Sequence, residues 1–146
     1  MKKYLTLFFV LALLGFSLEP AFSQEDVIIE AQITPPSLIS GEDGLLTVTF
    51  NFPEGYHQTR SDDFFYISFA DNNWFPMGEI IYPEGIQKDG LENYYGTITL
   101  TANFIVSENI PSGDQIAKVK VAWQICNEEG VCFFPEEKII EIPVQI

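Results

Sequence analysis

Hydrophobic and polar residues alternate along most of the chain. Val27, Ile29, Ala31 and Ile33 alternate with Ile28, Glu30, Gln32 and Thr34, and Leu46, Val48, Phe50 and Phe52 alternate with Leu45, Thr47, Thr49 and Asn51. The same period recurs in Ile98, Leu100, Ala102 and Phe104, in Ala117, Val119, Val121, Trp123 and Ile125, and in Ile140, Ile142, Val144 and Ile146. Each run is the pattern of a strand with one buried face. Phe64 to Phe69 and Trp74 to Tyr82 are weaker strand candidates. Turn clusters separate the runs: Pro35-Pro36-Ser37, Ser40-Gly41-Glu42-Asp43-Gly44, Pro53-Glu54-Gly55, Ala70-Asp71-Asn72-Asn73, Pro83-Glu84-Gly85, Lys88-Asp89-Gly90 and Pro111-Ser112-Gly113-Asp114. Beyond the N-terminal segment no window shows a helical period. About seven or eight short strands between turns predict an all-β fold, an immunoglobulin-like antiparallel β-sandwich.

The N-terminus changes the picture of where the domain works. Lys2 and Lys3 precede an apolar run from Tyr4 to Phe16, and Ala21-Phe22-Ser23 places small residues where a signal peptidase reads. Residues 1–23 are therefore expected to be a signal peptide cut after Ser23, and the product to be periplasmic or secreted. The apolar run is shorter than the roughly 20 residues a transmembrane helix needs. No insertion into a membrane is expected after cleavage, and no cysteine lies near the cut to carry a lipid. The remaining 123 residues, Gln24 to Ile146, fit one domain. A chain of this size buries roughly 65% of its unfolded surface, so it does not depend on a disulfide to fold.

Charge narrows the partners. Without Lys2, Lys3 and Glu19 the chain carries 5 basic and 20 acidic residues. So acidic a surface disfavours nucleic acid and anionic lipid.

The chemistry rests on two cysteines. Cys126 and Cys132 are the only thiols, separated by Asn127-Glu128-Glu129-Gly130-Val131. In an exported chain they are expected to form a disulfide. Extending the alternation of the 117–125 strand by one residue puts Cys126 on the side of Lys118, Lys120 and Gln124, off the core face. Asn127 to Gly130 reads as a tight turn with Gly130 in a left-handed conformation, and Val131 to Phe134 as the antiparallel return. Opposed strand residues lie about 4.5–5.5 Å apart at Cα, which a disulfide accepts. As a staple the bond is modest, because a seven-residue ring contributes roughly 2.4 kcal/mol on the loop-entropy view. Glu128, Glu129, Glu136 and Glu137 surround the pair and disfavour a thiolate. Geometry and composition leave two readings open, a structural staple and a working redox pair.

The stretch Trp123-Gln124-Ile125-Cys126-Asn127-Glu128-Glu129-Gly130-Val131-Cys132-Phe133-Phe134-Pro135-Glu136 resembles the redox motif of the periplasmic N-terminal domain of the DsbD thiol–disulfide interchange family. That motif is an aromatic-Gln-x-Cys, five residues, a second cysteine, then aromatic residues and Pro-Glu. Gly55-Tyr56-His57-Gln58-Thr59 is similar to the family's Gly-aromatic segment, and Pro83-Glu84-Gly85 to the Pro-x-Gly ahead of its cap. The resemblance implies an immunoglobulin-like sandwich whose Cys126–Cys132 pair cycles between dithiol and disulfide and relays electrons to periplasmic redox proteins, of the disulfide isomerase or cytochrome c maturation type. It implies Cys132 as the site of the mixed disulfide. It implies thioredoxin-like or membrane-embedded thiol–disulfide proteins as partners, here expected on separate chains, and no cofactor. His57 and Thr59 stand where the best-known members carry tyrosines. The cap, which shields the cysteines with an aromatic ring, is shortened to about Gln87–Tyr95, where Tyr94 or Tyr95 can serve, though Tyr94 reads equally as the first core residue of the next strand.

Other candidates are few. His57 is the only histidine, either a surface or structural residue or a proton donor and acceptor beside the thiols. One histidine and two cysteines do not complete a tetrahedral metal set. No phosphate loop, nucleophile elbow or Ser-His-Asp order is present. Tyr56, Trp74, Phe75 and Trp123 are aromatic and can line a surface, though Trp123 reads as core. The competing reading is a non-catalytic binding or assembly domain that uses a sheet edge or an aromatic surface, with the disulfide as a rim staple.

Overall fold

The computed structural model describes residues 27–146; the expected signal segment 1–23 lies outside the described residues. Eleven strands and no helix occur in that range. The first sheet has the order β1-β2-β8-β5, from β1 (Ile28–Thr34), β2 (Asp43–Asn51), β8 (Thr97–Val106) and β5 (Trp74–Ile81). The second has the order β11-β9-β4, from β11 (Glu136–Gln145), β9 (Asp114–Trp123) and β4 (Tyr66–Phe69). All pairings between these strands are antiparallel. The two sheets face each other across one core, as an immunoglobulin-like sandwich.

The alternation read from the sequence explains that core. In β2, Leu46, Val48 and Phe50 are fully buried while the residues between them reach the surface. In β9, Ala117, Val119 and Val121 are buried in the same way. Aromatic rings join the sheets: Phe69 of β4 stacks on Trp74 of β5 at 5.7 Å and meets Phe104 of β8 edge-on at 4.9 Å. Gly44 in β2 is required by this packing, because a Cβ there would lie 2.2 Å from the Phe104 ring.

A third, small sheet forms one end of the molecule. Its order is β10-β3-β7-β6, from β10 (Ile125–Asn127), β3 (Tyr56–Thr59), β7 (Leu91–Tyr94) and β6 (Ile86–Lys88). The expected count of seven or eight strands misses this sheet, whose members are three or four residues long and too short to show a period. The segment expected as a cap loop, Gln87–Tyr95, is instead mostly a hairpin of β6 and β7. Asp89 and Gly90 both have positive φ, 54° and 79°, the geometry of a two-residue hairpin turn. Gly85 lets the chain pass close under β7: a Cβ there would meet Glu92 Cγ at 2.5 Å, and its N–H donates to Glu92 Oε1 at 2.8 Å.

The long strand expected over 117–125 is broken at Gln124. Trp123 still pairs with Glu136 of β11, but Ile125 pairs with Gln58 of β3. The Gln124 N–H leaves the ladder and donates to the buried Gln58 Oε1 at 2.6 Å. One residue thus passes between sheets, and the alternation does not survive it. Ile125 and Cys126 are both buried, at 0% and 5% exposure. Cys126 stands outside the central apolar cluster, off the main core face as the register expects, but this change of sheet leaves it buried rather than open with Lys118 and Lys120.

Candidate redox site

The site is a hairpin at the end of the sandwich. The Asn127 N–H donates to Val131 O at 2.8 Å and the Gly130 N–H to Asn127 O at 3.1 Å. The Asn127 side chain fills the turn, its Oδ1 accepting from the N–H groups of Glu129 at 3.0 Å and Val131 at 2.9 Å. Gly130 takes φ 83°. This is a three-residue loop closed by a glycine in the left-handed region, as the sequence predicts. The return segment is held by Phe133 N–H to Ile125 O and by Gln124 Nε2 to Phe133 O, both at 2.9 Å.

Cys126 and Cys132 face each other across this hairpin and form a disulfide, with Cα atoms 3.9 Å apart. The two cysteines are unequally exposed: Cys126 is buried, whereas Cys132 is exposed. The neighbours of Cys132 along the chain are apolar and open, with Phe134 88% and Val131 62% exposed. Large apolar side chains left in water beside a reactive group form a contact surface rather than a core.

On its other side Cys126 is the direct partner of His57 in β3. Opposed residues of adjacent antiparallel strands project to the same face. His57, Cys126 and Cys132 therefore form one row across the end of the small sheet. The His57 ring lies 5.3 Å from the Tyr95 ring, and its Nδ1 is enclosed, 4.0 Å from Glu128 Oε1. Glu128 Oε2 also faces Lys88 Nζ at 3.8 Å, which ties the β6–β7 turn to the cysteine turn. A cleft of about 170 Å³ lies between these turns, lined by His57, Thr59, Lys88, Asp89, Leu91 and Glu128 among others.

The remaining candidates separate. Tyr56 packs on Phe133 at 5.8 Å and braces the return segment. Thr59 Oγ1 donates to Asn93 Oδ1 at 2.7 Å, directed at β7 rather than at the sulfurs. Tyr94 is a buried core residue opposite Gln58, packed on Phe65 at 5.5 Å, and does not shield the cysteines. Burial raises the pKa of its phenol above the usual value, so it stays protonated near neutrality. The Tyr95 ring packs against His57. Trp123 is core, as read, and so is Trp74. Phe75 is exposed on the edge strand β5, away from the site.

The acidic surround is less uniform than the sequence suggests. Glu137 accepts from the Tyr66 hydroxyl at 2.9 Å and pairs with Lys120 at 3.2 Å, out on the second sheet. These two partners, the tyrosine first, lower its pKa below the usual carboxylate value.

Gln58, Gln124 and Lys88 carry the site without having been singled out for it. Gln58 is 1% exposed, and its amide both accepts from Gln124 N–H and donates to Thr59 O at 2.7 Å. Gln58→Leu leaves the Gln124 N–H without its partner. The expected cost is about 1–3 kcal/mol in urea unfolding, with faster amide exchange at Gln124 than at Val121 of the unbroken strand.

Fold and site together define an immunoglobulin-like sandwich domain that carries a cross-strand disulfide on a hairpin at one end. Residues 24–143 match the family model described as "Thiol:disulfide interchange protein DsbD, N-terminal", and the chain belongs to that family. It is 26% identical over 97% of its length to the thiol:disulfide interchange protein DsbD of Colwellia psychrerythraea, and spans about a quarter of that relative's length. The crystal structure of the Neisseria meningitidis DsbD N-terminal domain in the reduced form superposes with a TM-score of 0.54 at 16% identity. That match covers 73% of this chain and 78% of the other, and shows a shared fold.

Proposed function

We propose that this is an exported thiol–disulfide exchange domain that relays electrons through Cys126 and Cys132 in the periplasm. The observation that carries the reading is the unequal exposure of the two cysteines. A partner thiolate can bond to the exposed Cys132 Sγ; the Cys126–Cys132 bond then breaks and Cys126 leaves as the thiolate. Run in reverse, Cys126 attacks the mixed disulfide and releases the partner's thiol. A staple has no need of this asymmetry. The hairpin is already closed by backbone bonds and the Asn127 side chain.

The partners that fit are thioredoxin-like or membrane-embedded thiol–disulfide proteins. Such a partner brings its own sulfur to the Cys132 rim and meets the exposed Phe134 and Val131 with apolar surface. Residues 1–23 act as the export signal, cut after Ser23.

The reduction potential tests the reading. Equilibrated against glutathione or dithiothreitol, the pair is expected to be reducible well above about −300 mV. A potential below that value marks an inert structural bond and rules the exchange reading out.

A further inference from the structure

The geometry points to His57 as the proton carrier for Cys126, an inference that rests on the exchange reading. His57, Cys126 and Cys132 stand in one cross-strand row, with Cys126 in the middle. A thiolate attacks a disulfide along the line of its S–S bond, so the partner enters beyond Cys132 and the leaving sulfur is Cys126. His57 therefore sits at the leaving-group end of the reaction line. Its Cβ is about 4.5–5.5 Å from that of Cys126, the spacing of a directly opposed pair.

The leaving thiolate needs help at this position. Cys126 is 5% exposed, and burial disfavours a charged sulfur. Its surroundings are acidic: Glu128 lies on the turn above it, Glu129 follows, and Asp89 faces the same cleft from the β6–β7 turn. Two groups there can carry positive charge. Lys88 is exposed and already faces Glu128 at 3.8 Å. His57 is enclosed, with Tyr95 over its ring and no hydrogen-bond partner at Nδ1; Glu128 Oε1, 4.0 Å away, gives its imidazolium a counter-charge.

The step balances. The partner's thiolate forms a bond to Cys132 Sγ, the Cys126–Cys132 bond breaks, and its electron pair goes to Cys126 Sγ. That sulfur takes the proton of the His57 imidazolium, leaving neutral imidazole. In the reverse direction the imidazole removes the Cys126 thiol proton, Cys126 attacks Cys132 Sγ of the mixed disulfide, and the partner leaves as thiolate. No further reductant or oxidant is required.

The test is the rate at which dithiothreitol reduces the disulfide in the folded protein from pH 5 to 9, expressed per dithiothreitol thiolate. The wild-type rate is expected to rise in step with the fraction of protonated imidazole that NMR reads in the same sample. A single histidine makes that assignment unambiguous. In His57→Gln the profile flattens, with a loss on the order of tenfold to a hundredfold at pH 5.5 and none at pH 9. His57→Tyr keeps an aromatic ring against Tyr95 and does not titrate in this range, so it shows the same flat profile even if the glutamine variant folds poorly. A loss equal at every pH, or profiles parallel to wild type, overturns the role of His57 and leaves the exchange reading standing. A disulfide that dithiothreitol does not reduce at any pH overturns both.

Discussion

In the Cys126→Ser protein, Cys132 is expected to react with iodoacetamide roughly a hundredfold faster than Cys126 does in the Cys132→Ser protein, because alkylation of a buried thiol waits for the structure to open. Cys132 is exposed at the rim, whereas Cys126 lies between β3 and the return segment of the hairpin. The same asymmetry predicts the outcome of trapping. Expressed in its own compartment, Cys126→Ser accumulates partners as mixed disulfides, since the sulfur that would resolve them is gone. Cys132→Ser retains only the enclosed sulfur and traps little. Equal alkylation rates, or equal trapping by the two variants, contradict the assignment of Cys132 as the entry point. Neither substitution is expected to unfold the domain, because the hairpin keeps its backbone bonds and its Asn127 side-chain bonds without the disulfide.

Phe65→Ala is expected to cost about 3–5 kcal/mol, a large part of the 5–15 kcal/mol that holds a domain of this size folded. Phe65 is fully buried and joins the sandwich core to the small sheet. Its ring meets Phe50 at 5.1 Å and Phe52 at 6.0 Å on one side, and Tyr94 at 5.5 Å and Tyr82 at 5.8 Å on the other. Truncation leaves a cavity that neither sheet can close without losing its register. The urea midpoint measures the loss, with an unchanged slope showing that the unfolded state is not altered. Because Tyr94 lies opposite Gln58, and Gln58 carries the chain into the cysteine hairpin, the variant should also raise amide exchange in β7 and β10 before global unfolding. A cost below about 1 kcal/mol would mean that Phe65 does not bridge the two parts.

The burial of Cys126 and the place of Tyr94 have one cause. The register argument placed Cys126 off the core face by continuing a period of two from Trp123; it is off the apolar cluster but buried, because the chain breaks at Gln124 through a hydrogen bond to Gln58, 66 positions away in sequence. The resemblance made Tyr94 a candidate cap residue, and the strand pattern made it equally a core residue. It is core because the Asp89-Gly90 turn folds that segment back as a hairpin and pairs it with β3. Both points concern the small sheet, whose strands are too short to declare themselves by period. The cysteine turn, by contrast, was legible, because Asn127 and Gly130 carry their local geometry in their own side chain and backbone freedom.

By itself the sequence determined the sandwich, its alternating core strands and the cysteine hairpin, while the family entered through a resemblance of the residues around the two thiols. These follow from local patterning: period-two burial, turn residues and the spacing of two thiols within one hairpin. Only the tertiary structure decided which cysteine is exposed, that His57 lies directly across from the buried one, and that Glu128 links His57 to Lys88. Those facts depend on which distant strands become neighbours when the chain crosses between sheets, and no local period records that choice.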